Sequence, residues 1–203
     1  MDTTPQNENL DLIFLMDRSG SMRGSEEDTI GGFNSFIERE KAKGLNTTVT
    51  TILFDDYYEV LYKRKSIDEV ELLTSEEYWV RGCTALLDAI GKTINTLDKE
   101  IDNKALFVIM TDGMENSSKE FTKAQISNLI NSHNWEFIYI GADIDSYSEA
   151  GNIGIRKSRV ANYRKTKEGF GDVFRSVENV SYCVRENMDL ENSDWKKDLE
   201  KYD

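Results

Sequence analysis

Residues 12–24 read LIFLMDRSGSMRG, an unbroken apolar run that gives way to an aspartate and two serines at every second position. The run reaches back to Leu10, and a nearly continuous apolar segment over 10–16 is the pattern of a β-strand covered by helices on both faces. A strand with one wet face would alternate instead. The apolar run stops at Asp17, Ser19 and Ser21, small side chains that carry oxygen, with Gly20 between them to ease a tight turn.

Outward from that stretch, apolar and polar segments follow in a regular order. Ile30, Phe33, Phe36 and Ile37 fall at helical spacing, and Gly44 is placed to stop that helix after Lys41 and Lys43. Residues 47–54 are rich in β-branched side chains and predict a second strand. Asp55 and Asp56 then make a turn into a third strand over 58–63. The segment 68–73 fits neither period. Leu86, Leu87, Ile90, Ile94 and Leu97 form a second helical stripe, and 105–110 is another fully apolar strand that ends in an acid, within TDGMEN. A helix over 121–130, a strand over 135–140, a glycine-bearing loop and a short strand over 159–161 follow. A closing helix carries Phe170, Val173, Phe174, Val177, Val180 and Val184. Such alternation predicts the α/β class: a three-layer α/β/α, Rossmann-like sandwich whose mostly parallel central sheet has one antiparallel edge strand from the hairpin.

A chain of 203 residues with 38% hydrophobic content supports one full-sized core, so one domain over 10–187 is expected. Residues 1–9 lack periodicity and are expected to be a disordered tail; residues 188–203, which include NSDWKKDLEKYD, are too charged for the core and are expected to be a tail or partly helical extension. The net charge of -13 argues against nucleic acid, whose backbone calls for a basic face. No secretory pattern marks the N-terminus and no apolar run approaches a membrane span, so a soluble cytoplasmic protein with no membrane partner is expected. Cys83 and Cys183 stand in no paired spacing, and free thiols are expected.

Two strands end in acids at the edge where ligands collect in open α/β sheets, Asp17 after the first and Asp112 after the apolar run 105–110. A third loop, RGCTALLDAIG, places Thr84 near the start of a helix. Carboxylate and hydroxyl oxygens are hard donors that suit magnesium, manganese or calcium better than zinc or copper. Alone, Ser21 or Thr84 would read as a helix cap or turn residue.

Together, D-x-S-x-S at Asp17, Ser19 and Ser21, Thr84 within GCTALLDAI, and Asp112 within VIMTDGMENSS resemble the metal-ion-dependent adhesion site (MIDAS) of the von Willebrand factor type A (VWA) family, of intracellular bacterial or phage type. The resemblance covers most of the chain, about residues 10–184. It implies the VWA fold and a divalent cation, magnesium first with manganese and calcium as alternatives. It further implies that Ser19, Ser21 and Thr84 touch the metal while Asp17 and Asp112 hold it through water and orient the serines. Capture of a partner protein's Asp or Glu carboxylate is the implied function, and in some relatives the last helix, here 170–184, slides as the metal changes its coordination. Cys83 departs from the family pattern, which often has a glycine there; it would tighten the loop or expose a thiol. Arg18 is expected beside the site, drawing an acidic partner or pairing with a surface carboxylate.

Other acids read as structural. Asp55 and Asp56 fit a hairpin turn, Asp88 a capping or packing role, and Asp143 and Asp145 a solvated loop at the same edge. No enzyme is expected: His133, the one histidine, falls toward the opposite edge of the sheet, no G-x-S-x-G elbow is present, and Arg18-Ser19 replace the second acid of a phosphatase D-x-D loop. The alternatives are a structural subunit whose metal braces loops and, behind it, a magnesium-dependent phosphatase-like enzyme.

Overall fold

The computed structural model describes residues 9–202, so the tail expected over 1–9 lies, apart from Asn9, outside the described residues. Strand β1 (Leu10–Asp17) is buried along its whole length, as its unbroken apolar run requires. It pairs in parallel with β2 (Thr47–Phe54) on one side and with β4 (Lys104–Thr111) on the other. Beyond β2, β3 (Tyr58–Ser66) runs antiparallel at the edge, and beyond β4 come β5 (Glu136–Gly141) and β6 (Val160–Asn162), both parallel. The order is β3-β2-β1-β4-β5-β6, the mostly parallel sheet with one antiparallel edge that the alternation predicts.

Alternate residues of β1 face opposite layers. Leu12, Phe14 and Met16 pack with Phe33 and Phe36 of α1 (Glu26–Ala42) and with Phe170 and Phe174 of α5 (Lys167–Arg185). Ring centroids of Phe33 and Phe36 lie 5.4 and 5.3 Å from Phe14, both edge-on, and each buried ring contributes about 1.5–3 kcal/mol. Ile13 and Leu15 face the other layer, built from α2 (Leu86–Leu97), α3 (Lys123–Ser132) and α4 (Ser146–Asn152). Helix α3 starts on a capping box in which Thr122 and Gln125 satisfy each other's backbone N–H groups.

Three segments depart from expectation. Residues 146–152, expected within a loop, form α4, which Asp145 caps. The ambiguous stretch 68–73 follows a short 3₁₀ turn, Ile67–Glu69, and then runs irregularly while sending Val70 and Leu73 into the α1 side of the core. The charged C-terminal stretch is also not excluded from the core. Leu190, Trp195 and Leu199 bury themselves in the α1/α5 layer, and Trp195 Nε1 donates to the Ser158 carbonyl at 3.0 Å. Its charge sits on the residues between those three, which face solvent, so composition concealed the anchors. No helix among the described residues is long and apolar enough to cross a membrane.

After β1 the chain crosses to β2, whereas β4 leads away toward β5, so connections diverge at the carboxyl ends of β1 and β4. Asp17 and Asp112 stand at that crevice.

Candidate metal centre

Asp17, the last residue of β1, is buried, with Oδ1 accepting from the Ser19 N–H at 2.6 Å and Oδ2 from Thr111 Oγ1 at 2.6 Å. Both donors are neutral. Burial raises its pKa to about 6, with Asp112 adding to the rise, because the hydrogen bonds only partly replace lost solvation. Thr111 reaches it through strand register: Met16 lies opposite Met110, which brings the next residue of each strand side by side.

Three hydroxyls gather in front of that carboxylate. Ser19 Oγ and Ser21 Oγ are 3.0 Å apart, and Ser21 Oγ donates to Asp112 Oδ1 at 2.5 Å. Gly113 marks the point they face. A Cβ there would stand 2.5 Å from Thr84 Oγ1, 3.3 Å from Ser21 Oγ and 3.4 Å from Ser19 Oγ, so only glycine leaves the space open. Asp17, Ser19, Ser21, Thr84 and Asp112, drawn from three loops, thus come together. Direct bonds tie the loops: the Gly20 N–H donates to the Gly82 carbonyl at 3.1 Å, the Thr84 N–H to Asn116 Oδ1 at 2.9 Å, and the Asn116 N–H to the Thr84 carbonyl at 3.1 Å.

Among the described residues, a cation of the protein itself reaches these oxygens. Lys165, just before α5, places Nζ 2.9 Å from Asp112 Oδ2, 2.9 Å from Asp143 Oδ2 and 3.3 Å from the Ser21 carbonyl. An all-oxygen donor set that has drawn in an ammonium is chemically suited to a hard divalent ion. Among the described residues no group of three or more His, Cys, Asp or Glu side chains is arranged for a metal, so any such site here depends on hydroxyls.

Neighbouring residues fall out as follows. Arg18 does not reach a partner's side of the loop; it is fully buried, with Nε 3.0 Å from Asp55 and one terminal nitrogen 2.6 Å from Glu59. The alternation that turns Asp17 and Ser19 toward the crevice turns Arg18 away. Asp55 does make the hairpin turn, accepting from the Tyr57 N–H at 2.7 Å, and it also anchors Arg18. Cys83 exposes a free thiol, and Cys183 is free and buried. Asp88 accepts from the Lys119, Glu120 and Phe121 N–H groups at 2.9–3.0 Å, which fixes the loop that follows Asp112. Asp145 caps α4, while Asp143, at φ +56°, pairs with Lys165. Thr111, Gly113, Asn116 and Lys165 were not singled out from sequence. A register argument could have found Thr111; Lys165 has no local signal.

No protein-family model matches the sequence, and no curated protein does either. Solved structures do match. Proximal thread matrix protein 1 from the mussel byssus superposes with a TM-score of 0.63 at 16% identity over 88% of this chain and 46% of its own, and a form of it with zinc in its MIDAS motif with 0.60. A von Willebrand factor type A protein from Catenulispora acidiphila gives 0.57 at 16% identity over 84% of this chain and 42% of its own. The PilB minor pilin from Streptococcus sanguinis gives 0.64 at 11% identity over 95% of this chain and 65% of its own. The chain therefore spans less than half the length of the first two proteins and about two thirds of the pilin. Sheet order, layer assignment and these superpositions agree that the chain has the fold of a von Willebrand factor type A domain.

Proposed function

We propose that this chain is a metal-dependent protein-binding module. Ser19, Ser21 and Thr84 would hold a divalent cation directly, magnesium first, and Asp17 and Asp112 would orient them and balance charge. When bound, the cation supplies a positive charge that mostly neutral ligands leave uncancelled, and a carboxylate from a partner protein satisfies it. The observation that carries this reading is the convergence of three hydroxyl oxygens on the Gly113 backbone beside two acids. The zinc-occupied motif of the mussel protein supports it by analogy of fold.

Two features favour a binder over the alternatives. Backbone and side-chain bonds already tie the three loops, so a metal is not needed as their brace. Ser19, where a D-x-D loop begun at Asp17 would carry its second acid, is a hydroxyl 3.0 Å from Ser21 Oγ. We propose a cytoplasmic location, a reading that the two free cysteines, Cys83 exposed and Cys183 buried, support.

Thermal unfolding tests the reading. Magnesium or manganese at about a hundredfold over Kd should stabilise the folded state by roughly 2.7 kcal/mol, and Asp112→Ala should lose the shift while remaining folded. An equal shift in wild type and variant would overturn the site.

A further inference from the structure

Next to the metal loops stands an arrangement that holding a metal does not require. The Arg81 guanidinium lies between two aromatic rings, 4.6 Å from the centroid of Tyr57 and 4.5 Å from that of Trp79. Its Nε is 2.8 Å from Asp55 Oδ2, the same oxygen that accepts from Arg18 Nε at 3.0 Å. One buried carboxylate therefore serves two guanidinium groups. Glu59 completes the charge of Arg18, which leaves Asp55 to balance Arg81, so the charges cancel within the cluster while the hydrogen-bonding capacity of Arg81 beyond Nε is not used.

Held by Nε and by both rings, the guanidinium has lost its rotamer freedom on folding while keeping its terminal fork. Among the described residues no acceptor reaches its two Nη atoms, and the side chain is 36% exposed. Tyr57 and Trp79 remain 65% and 43% exposed. An open guanidinium fork matches a carboxylate with two parallel hydrogen bonds, and Arg, Trp and Tyr are the side chains on which interfaces concentrate their binding energy.

This platform is rigidly joined to the metal loops. The Arg81 N–H donates to the Arg18 carbonyl at 3.0 Å, and the Gly20 N–H to the Gly82 carbonyl at 3.1 Å. Gly82, at φ +65°, lets the chain turn between Arg81 and Thr84 against Asp56, whose Oδ2 accepts from the Cys83 N–H at 2.9 Å.

We infer that Arg81, flanked by Tyr57 and Trp79, is a second anion subsite, which takes a further carboxylate of the partner segment whose first carboxylate is bound at the metal centre. The inference rests on the metal-carboxylate reading and deepens it: the partner is an extended acidic segment that presents two carboxylates, with the two rings covering the chain between them. The open Nη fork of Arg81 is complementary to a carboxylate of such a segment.

The test uses the full chain, saturated with manganese, and terminally blocked peptides in which two aspartates are separated by glycine spacers of increasing length. Each is compared by calorimetry with a counterpart whose second aspartate is asparagine. One spacer length should bind about tenfold tighter than its single-aspartate counterpart, the worth of one charge-assisted bidentate pair. Arg81→Gln should bind both peptides alike, at the wild-type affinity for the single-aspartate peptide, and Arg81→Lys should recover only part of the preference because it keeps the charge without the fork. A preference that survives in Arg81→Gln, or that wild type never shows, overturns the subsite. Separately, a chelator or Asp112→Asn should abolish binding of the single-aspartate peptide. Indifference to both overturns the metal reading and the two-point inference with it, as does a metal-saturated wild type that binds neither peptide. A lost preference with metal dependence intact overturns Arg81 alone.

Discussion

Asp11 and Asp17 stand at opposite ends of β1, each about 1% exposed, and the protein treats them differently. Asp11 accepts from Thr48 Oγ1 at 2.6 Å, from Asn103 Nδ2 at 2.8 Å and from Arg64 Nε at 2.9 Å, so its charge is matched by a cation inside the fold. Asp17 receives neutral donors only, and its pKa is raised to about 6. Same residue, same strand and same burial leave one end finished and the other short of a positive charge. That deficit at the carboxyl end fits the cation site proposed there, whereas the amino end closes the sheet.

Removing each acid is the strongest way to break the comparison. Asp11→Ala leaves the Arg64 guanidinium without its carboxylate and should cost about 3–5 kcal/mol in urea unfolding. Asp17→Asn in the metal-free protein at neutral pH should cost nothing or gain up to about 2 kcal/mol, since it removes a buried charge that no cation balances. Equal losses in the two variants would show that the two ends do not differ in kind.

The pH dependence sharpens the same point. Between about pH 4 and 6 the folded state keeps a proton on Asp17 that the unfolded chain has released, so this group's contribution is fully present below pH 4 and is lost as pH rises through 6. The total change is about 3 kcal/mol for the metal-free protein. A bound cation favours the carboxylate and should reverse the trend, making the magnesium-induced thermal shift larger at pH 7.5 than at pH 5. Measuring the stability difference between wild type and Asp17→Asn against pH, with and without magnesium, checks both signs; a flat difference breaks the argument.

The smallest expected effect concerns Lys165. Its ammonium bridges Asp112 and Asp143, and a divalent ion must displace it or tolerate its repulsion. Lys165→Met should tighten manganese binding by about tenfold in a direct titration, with unfolding stability of the metal-free protein lowered by about 1–2 kcal/mol because the buried Asp112 loses its cation. Weaker binding in the variant would mean that the lysine assists the metal.

Much of this is legible in the sequence. The unbroken apolar runs that became β1 and β4 require burial on two faces, and that requirement forces a sheet between helical layers. The three motifs sit at strand and helix ends because those ends are where short polar side chains can be presented without opening the core. Of the two roles expected of Arg18, pairing with a surface carboxylate holds, through the half-exposed Glu59, and drawing in a partner does not, since a residue between two site residues on an extended chain points away from them. Leu190, Trp195 and Leu199 were hidden by a different cause: three apolar anchors suffice to pin a stretch whose average composition is charged.

Local order along the chain determined the elements, their sequence and the five oxygen-bearing residues, because period, turn chemistry and β-branching act over a few neighbours. Tertiary structure alone decided which charges meet. Lys165 is 53 residues from Asp112 and Arg64 is 53 from Asp11, and whether a buried carboxylate finds its cation within the fold depends on strand register and loop direction that no local pattern encodes. The energy of a charge depends on everything within a few ångströms of it, and on a folded chain those neighbours come from distant parts of the sequence.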